Sequence, residues 1–75
     1  MSINNIPTLN ILTLNVRGIA DNTKRQRLFY YLRALNADII FLQETHATPN
    51  QHKFYTSQWG QQAVWTEHLG VLLNK

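Results

Sequence analysis

Apolar and polar residues alternate across "LNILTLNV", residues 9 to 16. Leu12, Leu14 and Val16 fall on one face, and Leu9 and Ile11 begin the other, the period-two pattern of a strand. Asn15 lies on that second face, close to the strand's end. "RGIADN" then turns the chain: Gly18 tolerates positive φ, and Asp21, Asn22 or Thr23 is placed to cap a helix. The next segment, "TKRQRLFYYLRALN", sets Leu28, Tyr31, Leu32 and Leu35 at i, i+3, i+4 and i+7, one apolar helical stripe. Gln26, Tyr30 and Arg33 point away from that stripe, and Asn36 is a terminator. Ile39 to Leu42 follow as an unbroken apolar run rich in Ile and Phe, which predicts a buried strand.

Strand, helix, strand is a βαβ unit, and its two strands run parallel through a right-handed crossover. Parallel neighbours end on the same edge of the sheet, where α/β proteins place their ligands. Asn15 and Glu44 therefore belong to one edge. Beyond His46 the chain turns polar, with Pro49 placed to open a short helix behind Thr48 and Gly60 to break it. "AVWT" and "LGVLLNK" predict two short strands joined through "EHLG" as a hairpin, Gly70 near its turn. Residues 1 to 8, polar, rich in asparagine and containing Pro7, read as a disordered lead-in.

Seventy-five residues make one small domain with a modest core. With no cysteine, neither a disulfide nor a thiolate metal site reinforces it, and His46, His52 and His68 lack metal-ligand spacing. Seven Lys and Arg against four Asp and Glu give a net charge of +3, a balance that favours polyanionic partners without requiring one. No run approaches the roughly 20 apolar residues of a membrane span. The first residues lack the basic start and apolar core of a signal peptide, which makes an intracellular protein the expectation.

"LNVRGI", the basic amphipathic helix, "ADIIFLQETH" and a later "GVLLNK", in this order and spacing, resemble the opening of the endonuclease/exonuclease/phosphatase superfamily. The likeness is nearest to its non-LTR retrotransposon-type endonuclease branch, with apurinic/apyrimidinic endonucleases and pancreatic-type deoxyribonucleases as relatives. It covers residues 9 to 46 well and 63 to 75 loosely. It implies an α/β fold in which residues 9 to 75 form the N-terminal fragment, a βαβ unit plus short strands, of a two-sheet α/β sandwich with outer helices. It also implies a phosphodiesterase that uses Mg2+ or Mn2+, acts on DNA, and works in the nucleus.

Carried over by that resemblance, Glu44 matches the metal-binding glutamate and Asn15 the asparagine beside the metal and scissile phosphate. Magnesium, a hard ion, takes carboxylate oxygen and often only one or two protein carboxylates. It can neutralise charge developing on a phosphate and its leaving oxygen. The family's later Asp-x-Asn and Ser-Asp-His motifs have no counterpart here, so the expected chain is part of a DNA-nicking endonuclease that is inactive alone.

Arg17 and His46 follow Asn15 and Glu44 closely enough to touch a nucleic-acid backbone, although an exposed loop position is the commoner role. Lys24, Arg25, Arg27 and Arg33 read as a solvated helix face. Phe54, Tyr55, Trp59 and Trp65 can stack on bases, but packing on the sheet is their commoner fate. Gln43, alternating with Glu44, faces the opposite way, where a structural hydrogen-bonding role is expected of it. Two rival readings are a non-catalytic nucleic-acid-binding remnant using Arg17 and the basic helix, and an unstable product without function whose open sheet face and edges promote association.

Overall fold

The structure, a computed structural model, describes residues 8–74. All of the expected lead-in except Thr8 thus lies outside the described residues. Alternation builds β1 (Ile11–Asn15), with Leu12 and Leu14 half-buried on the inner face and Ile11, Thr13 and Asn15 exposed on the outer one. The strand begins at Ile11 rather than Leu9, which is largely exposed.

Helix α1 (Asn22–Ala34) starts at Asp21, whose carboxylate accepts the Lys24 backbone N–H at 2.7 Å and so satisfies one orphan donor of the first turn. Its end comes at Leu35, before the expected Asn36. There the side chain of Asn74 donates to the carbonyls of Leu35 at 3.1 Å and Ala37 at 2.9 Å. The buried stripe runs through Arg25, Phe29 and Leu32, flanked by half-buried Leu28 and Leu35. Tyr31, expected on the apolar stripe, is 60 % exposed. The helix is turned by roughly 60° from the expected orientation at about 100° per residue, because Phe29 finds Trp59 and Arg25 finds a set of carbonyls.

Strand β2 (Ile39–Gln43) pairs parallel with β1, Ile11 opposite Ile39 and Asn15 opposite Gln43. Ile40 and Leu42 are fully buried. Helix α2 (Pro49–Trp59) begins at Thr48, whose N–H donates to Gln51 Oε1 at 3.0 Å, and closes on Gly60 at φ 87°. Strands β3 (Ala63–Trp65) and β4 (Leu69–Leu73) form the expected antiparallel hairpin. β4 inserts beside β2, also antiparallel, giving the order β1-β2-β4-β3.

Gly70 is near the turn, as expected, and already paired. It lies inside β4, opposite Leu42 and Trp65, where an added Cβ would stand 2.7 Å from the Trp65 ring. The glycine is there so that the indole can lie on the backbone.

Both helices cover the inner face through an aromatic cluster. Phe29 meets Trp59 edge-on at 5.6 Å, and Tyr55 meets Trp65 edge-on at 5.7 Å. Each indole N–H has a partner, Trp59 the Leu73 carbonyl and Trp65 the Thr56 hydroxyl, both at 2.9 Å. Packing thus claims Tyr55, Trp59 and Trp65, and leaves Phe54 exposed. The outer face, with Ile11, Phe41, Val64 and Val71, carries neither helix. The result is a small mixed α/β unit consistent with the opening portion of the expected sandwich. No helix among the described residues is long and apolar enough to cross a membrane.

Candidate active site

The hydrogen-bond ladder between β1 and β2 continues past both strands. Val16 N–H donates to the Gln43 carbonyl at 3.0 Å, Gly18 N–H to that of Glu44 at 2.6 Å, and Ile19 N–H to that of Thr45 at 3.3 Å. The loop leaving β1 is therefore bound, residue by residue, to the loop leaving β2. That binding turns a shared sheet edge into a defined site.

Asn15 sits at its centre. Its Oδ1 accepts the Arg17 backbone N–H at 3.1 Å, an Asx-type turn, and its Nδ2 donates to Glu44 Oε2. The two bonds fix which end of the amide faces which partner. Strand alternation alone sets Glu44 on the face opposite Asn15 and Gln43. Glu44 escapes that rule because its φ is +57°, which takes it out of strand geometry.

Arg17 at φ +51° and His46 at φ +54° share the left-handed conformation, and with Glu44 they are the non-glycine residues in it among those described. Each such residue costs on the order of 1 kcal/mol, and such residues cluster at functional sites. Gly18, at φ +84°, lies against the His46 ring: a Cβ on it would stand 3.4 Å from the ring's Cδ2. The edge thus brings together all four residues expected there, Asn15, Arg17, Glu44 and His46. The Arg17 and His46 side chains make no hydrogen bond or ion pair among the described residues. Gln43 is exposed on the outer face beside Asn15 and likewise has no side-chain hydrogen bond there.

Other residues of the site were not apparent in the sequence. Thr45 is buried between Glu44 and His46; its N–H donates to the His68 carbonyl at 3.3 Å, and its hydroxyl lies 3.4 Å from the carbonyls of Thr66 and Glu67. The β3–β4 turn is thereby docked onto the same edge. Only the hairpin pattern hinted at this, and the hairpin does not say which strand β4 joins.

Lys24, from the first turn of α1, donates through Nζ to the Val16 carbonyl at 2.6 Å. Its neighbour Arg25 is not solvated, contrary to expectation. Only 3 % exposed, it donates to the carbonyls of Ile19 at 2.8 Å and Ala20 at 3.1 Å, to Asn22 Oδ1 at 2.7 Å and to Gln58 Oε1 at 2.6 Å. Its guanidinium lies 4.4 Å from the Tyr55 ring centroid. A planar fork of five donors suits this neutral cage better than a point charge does. Arg33 similarly donates to the Trp59 carbonyl at 3.0 Å and lies over that indole.

Chemically, the edge offers one exposed carboxylate held by an amide. No group of three or more His, Cys, Asp or Glu suited to a metal ion occurs among the described residues. The carboxylate oxygens of Glu44 are nonetheless of the hard type that Mg2+ prefers, an ion that keeps several waters, while Asn15 turns its amide N–H toward that carboxylate and its oxygen toward Arg17.

No curated protein and no solved structure matches the chain. The model of the endonuclease/exonuclease/phosphatase family matches residues 12–72, a span that takes in both helices, all but the outermost residue of β1 and of β4, and the whole Asn15–Glu44 edge. Members of that family are generally dependent on divalent metal. With four-fifths of its length matched and its sheet and helices in keeping with the opening of that fold, the chain belongs to the endonuclease/exonuclease/phosphatase family.

Proposed function

We propose that this chain is the metal-carrying opening portion of a magnesium-dependent phosphodiesterase, a DNA-nicking endonuclease of retrotransposon type, acting in the nucleus. The observation that carries the reading is the Asn15–Glu44 pair at the joined ends of two parallel strands. Glu44 would hold the ion through its carboxylate, and Asn15 would orient that carboxylate. The ion's contribution when bound is to neutralise charge on the scissile phosphate and the leaving oxygen. Arg17 and His46, exposed at the same edge, are placed to meet the flanking DNA phosphates.

The described residues supply no histidine bonded to a carboxylate that could act as a general base. His68 approaches Glu67 at 4.0 Å, but both side chains are exposed to solvent. The 75-residue chain by itself is therefore inactive in this reading. The rival view, a nucleic-acid-binding remnant using the basic helix, has less to work with, since Lys24, Arg25 and Arg33 spend donors on carbonyls.

The test is a Mn2+ titration of the isotopically labelled chain followed by NMR. Paramagnetic broadening should be strongest at Asn15–Gly18 and Glu44–His46, fall off with distance from them, and vanish in Glu44→Gln. Absence of broadening at Glu44 refutes the metal role. Mg2+-dependent nicking of supercoiled plasmid by the purified chain, lost on Glu44→Ala, refutes the inactivity.

A further inference from the structure

Lys24 is about four-fifths of a turn beyond the helix cap and makes no ion pair among the described residues, yet both hydrogen-bond contacts of its ammonium fall on the loop that leaves Asn15. Nζ donates to the Val16 carbonyl at 2.6 Å and approaches the Arg17 carbonyl at 3.4 Å. Each of those carbonyls belongs to a peptide unit whose other end is also committed. The Val16–Arg17 peptide presents its N–H to Asn15 Oδ1 at 3.1 Å. The Arg17–Gly18 peptide presents its N–H to the Glu44 carbonyl at 2.6 Å. One ammonium thus grips the far ends of two rigid planes, one ending on the Asn15 side chain and the other on the Glu44 backbone.

We propose that Lys24 is a positioning residue for the Asn15–Glu44 pair, acting through the orientation of these two peptide planes. The conformation being held is one that Arg17 does not favour, at φ +51°. Without the ammonium, the Val16–Arg17 plane can rotate its carbonyl to water. The Arg17 N–H then leaves Asn15 Oδ1, and the amide loses the bond that keeps its Nδ2 on Glu44. A charged donor on a part-buried carbonyl makes a stronger bond than a neutral one, which suits it to this hold. Arg25 braces the next carbonyls, Ile19 and Ala20, and anchors the loop's far end to α2 through Gln58.

The functional weight of this role rests on the metal-site reading of Glu44; the geometry of the hold does not. The experiment is 15N NMR of the full 75-residue chain and its Lys24→Met and Lys24→Arg variants, reading the Asn15 side-chain amide protons. In the unsubstituted chain one of them should be shifted downfield and protected from solvent exchange. Lys24→Met should collapse that shift and speed the exchange about tenfold, as losing one ordinary hydrogen bond does. Lys24→Arg should restore both, and the indole N–H signals of Trp59 and Trp65 should stay in place throughout.

An Asn15 amide unchanged in Lys24→Met overturns the proposal. So does a Lys24→Arg spectrum like that of Lys24→Met, or a Lys24→Met chain that has lost its indole signals, since Lys24 would then serve general stability. Mn2+ broadening of the unsubstituted chain reports on the metal separately. If it is absent while the Asn15 amide responds to Lys24→Met, the metal reading falls and the positioning role stands.

Discussion

Replacing Gly70 by alanine adds one methyl group to β4 beneath Trp65. The new carbon would stand 2.7 Å from Cζ3 and 2.8 Å from Cε3 of the indole. Ordinary carbon contacts lie at about 3.5–4.0 Å, so the ring must retreat by roughly 1 Å. It has little freedom to do so. Its N–H is held by the Thr56 hydroxyl at 2.9 Å, Tyr55 meets its ring edge-on, and Phe29 lies 6.4 Å away, centroid to centroid.

Overpacking of this kind costs about 1–3 kcal/mol, and losing the indole hydrogen bond adds about 1 kcal/mol. Against this, alanine restricts the unfolded chain and returns about 0.4–1 kcal/mol. The net expectation is a loss of about 2 kcal/mol, which for a domain of this size lowers Tm by about 8–16 °C.

Circular dichroism melts would measure it, repeated in a Trp65→Leu background to form a double-mutant cycle. There the Gly70→Ala penalty should shrink to less than half, because the ring it collides with is gone. A Gly70→Ala chain melting within 2 °C or so of the parent would refute the steric reasoning. An equal penalty in both backgrounds would show that something other than the indole reserves this position for glycine.

Arg25→Met keeps the stem but strips the carbonyls of Ile19 and Ala20 of a charged donor, and should cost about 2–4 kcal/mol in urea unfolding. Arg25→Lys should recover only part of that loss, because an ammonium cannot reach the loop carbonyls, Asn22 and Gln58 together. Asn74→Ala removes the amide that reaches the carbonyls closing α1, and should destabilise by about 1–3 kcal/mol, with faster amide exchange concentrated in the last turn of that helix; uniform exchange changes would argue against a local role.

The expectation of a βαβ unit with Asn15 and Glu44 on one edge came from two features that propagate along the chain. These are the period-two alternation of β1 and the uninterrupted apolar run of β2. Local signals also placed the start of α2 at Thr48-Pro49 and its end at Gly60, since cap chemistry acts within a single turn. The resemblance of four short stretches supplied the family, which no periodicity could have done.

What the sequence did not determine depends on contacts between segments far apart in the chain. The stripe of α1 lies roughly 60° from the expected one because the spacing of Tyr31 and Phe29 does not say which of the two rings meets a partner. Only the position of Trp59, thirty residues on, makes Phe29 the buried one. Arg25 read as solvated because a lone arginine with no nearby acid gives no hint that carbonyls and Tyr55 will enclose it. The place of Gly70 near the turn is local information, but its need to be glycine is not, because the indole that requires it comes from the adjacent strand.

The site divides the same way. Sequence alone brought Asn15 and Glu44 to one edge, because parallel pairing requires it. It could not bring their side chains into contact, because strand alternation points them to opposite faces. That contact was decided by the left-handed backbone at Glu44, a conformation the residue does not prefer and which the backbone ladder to the loop leaving β1 holds in place.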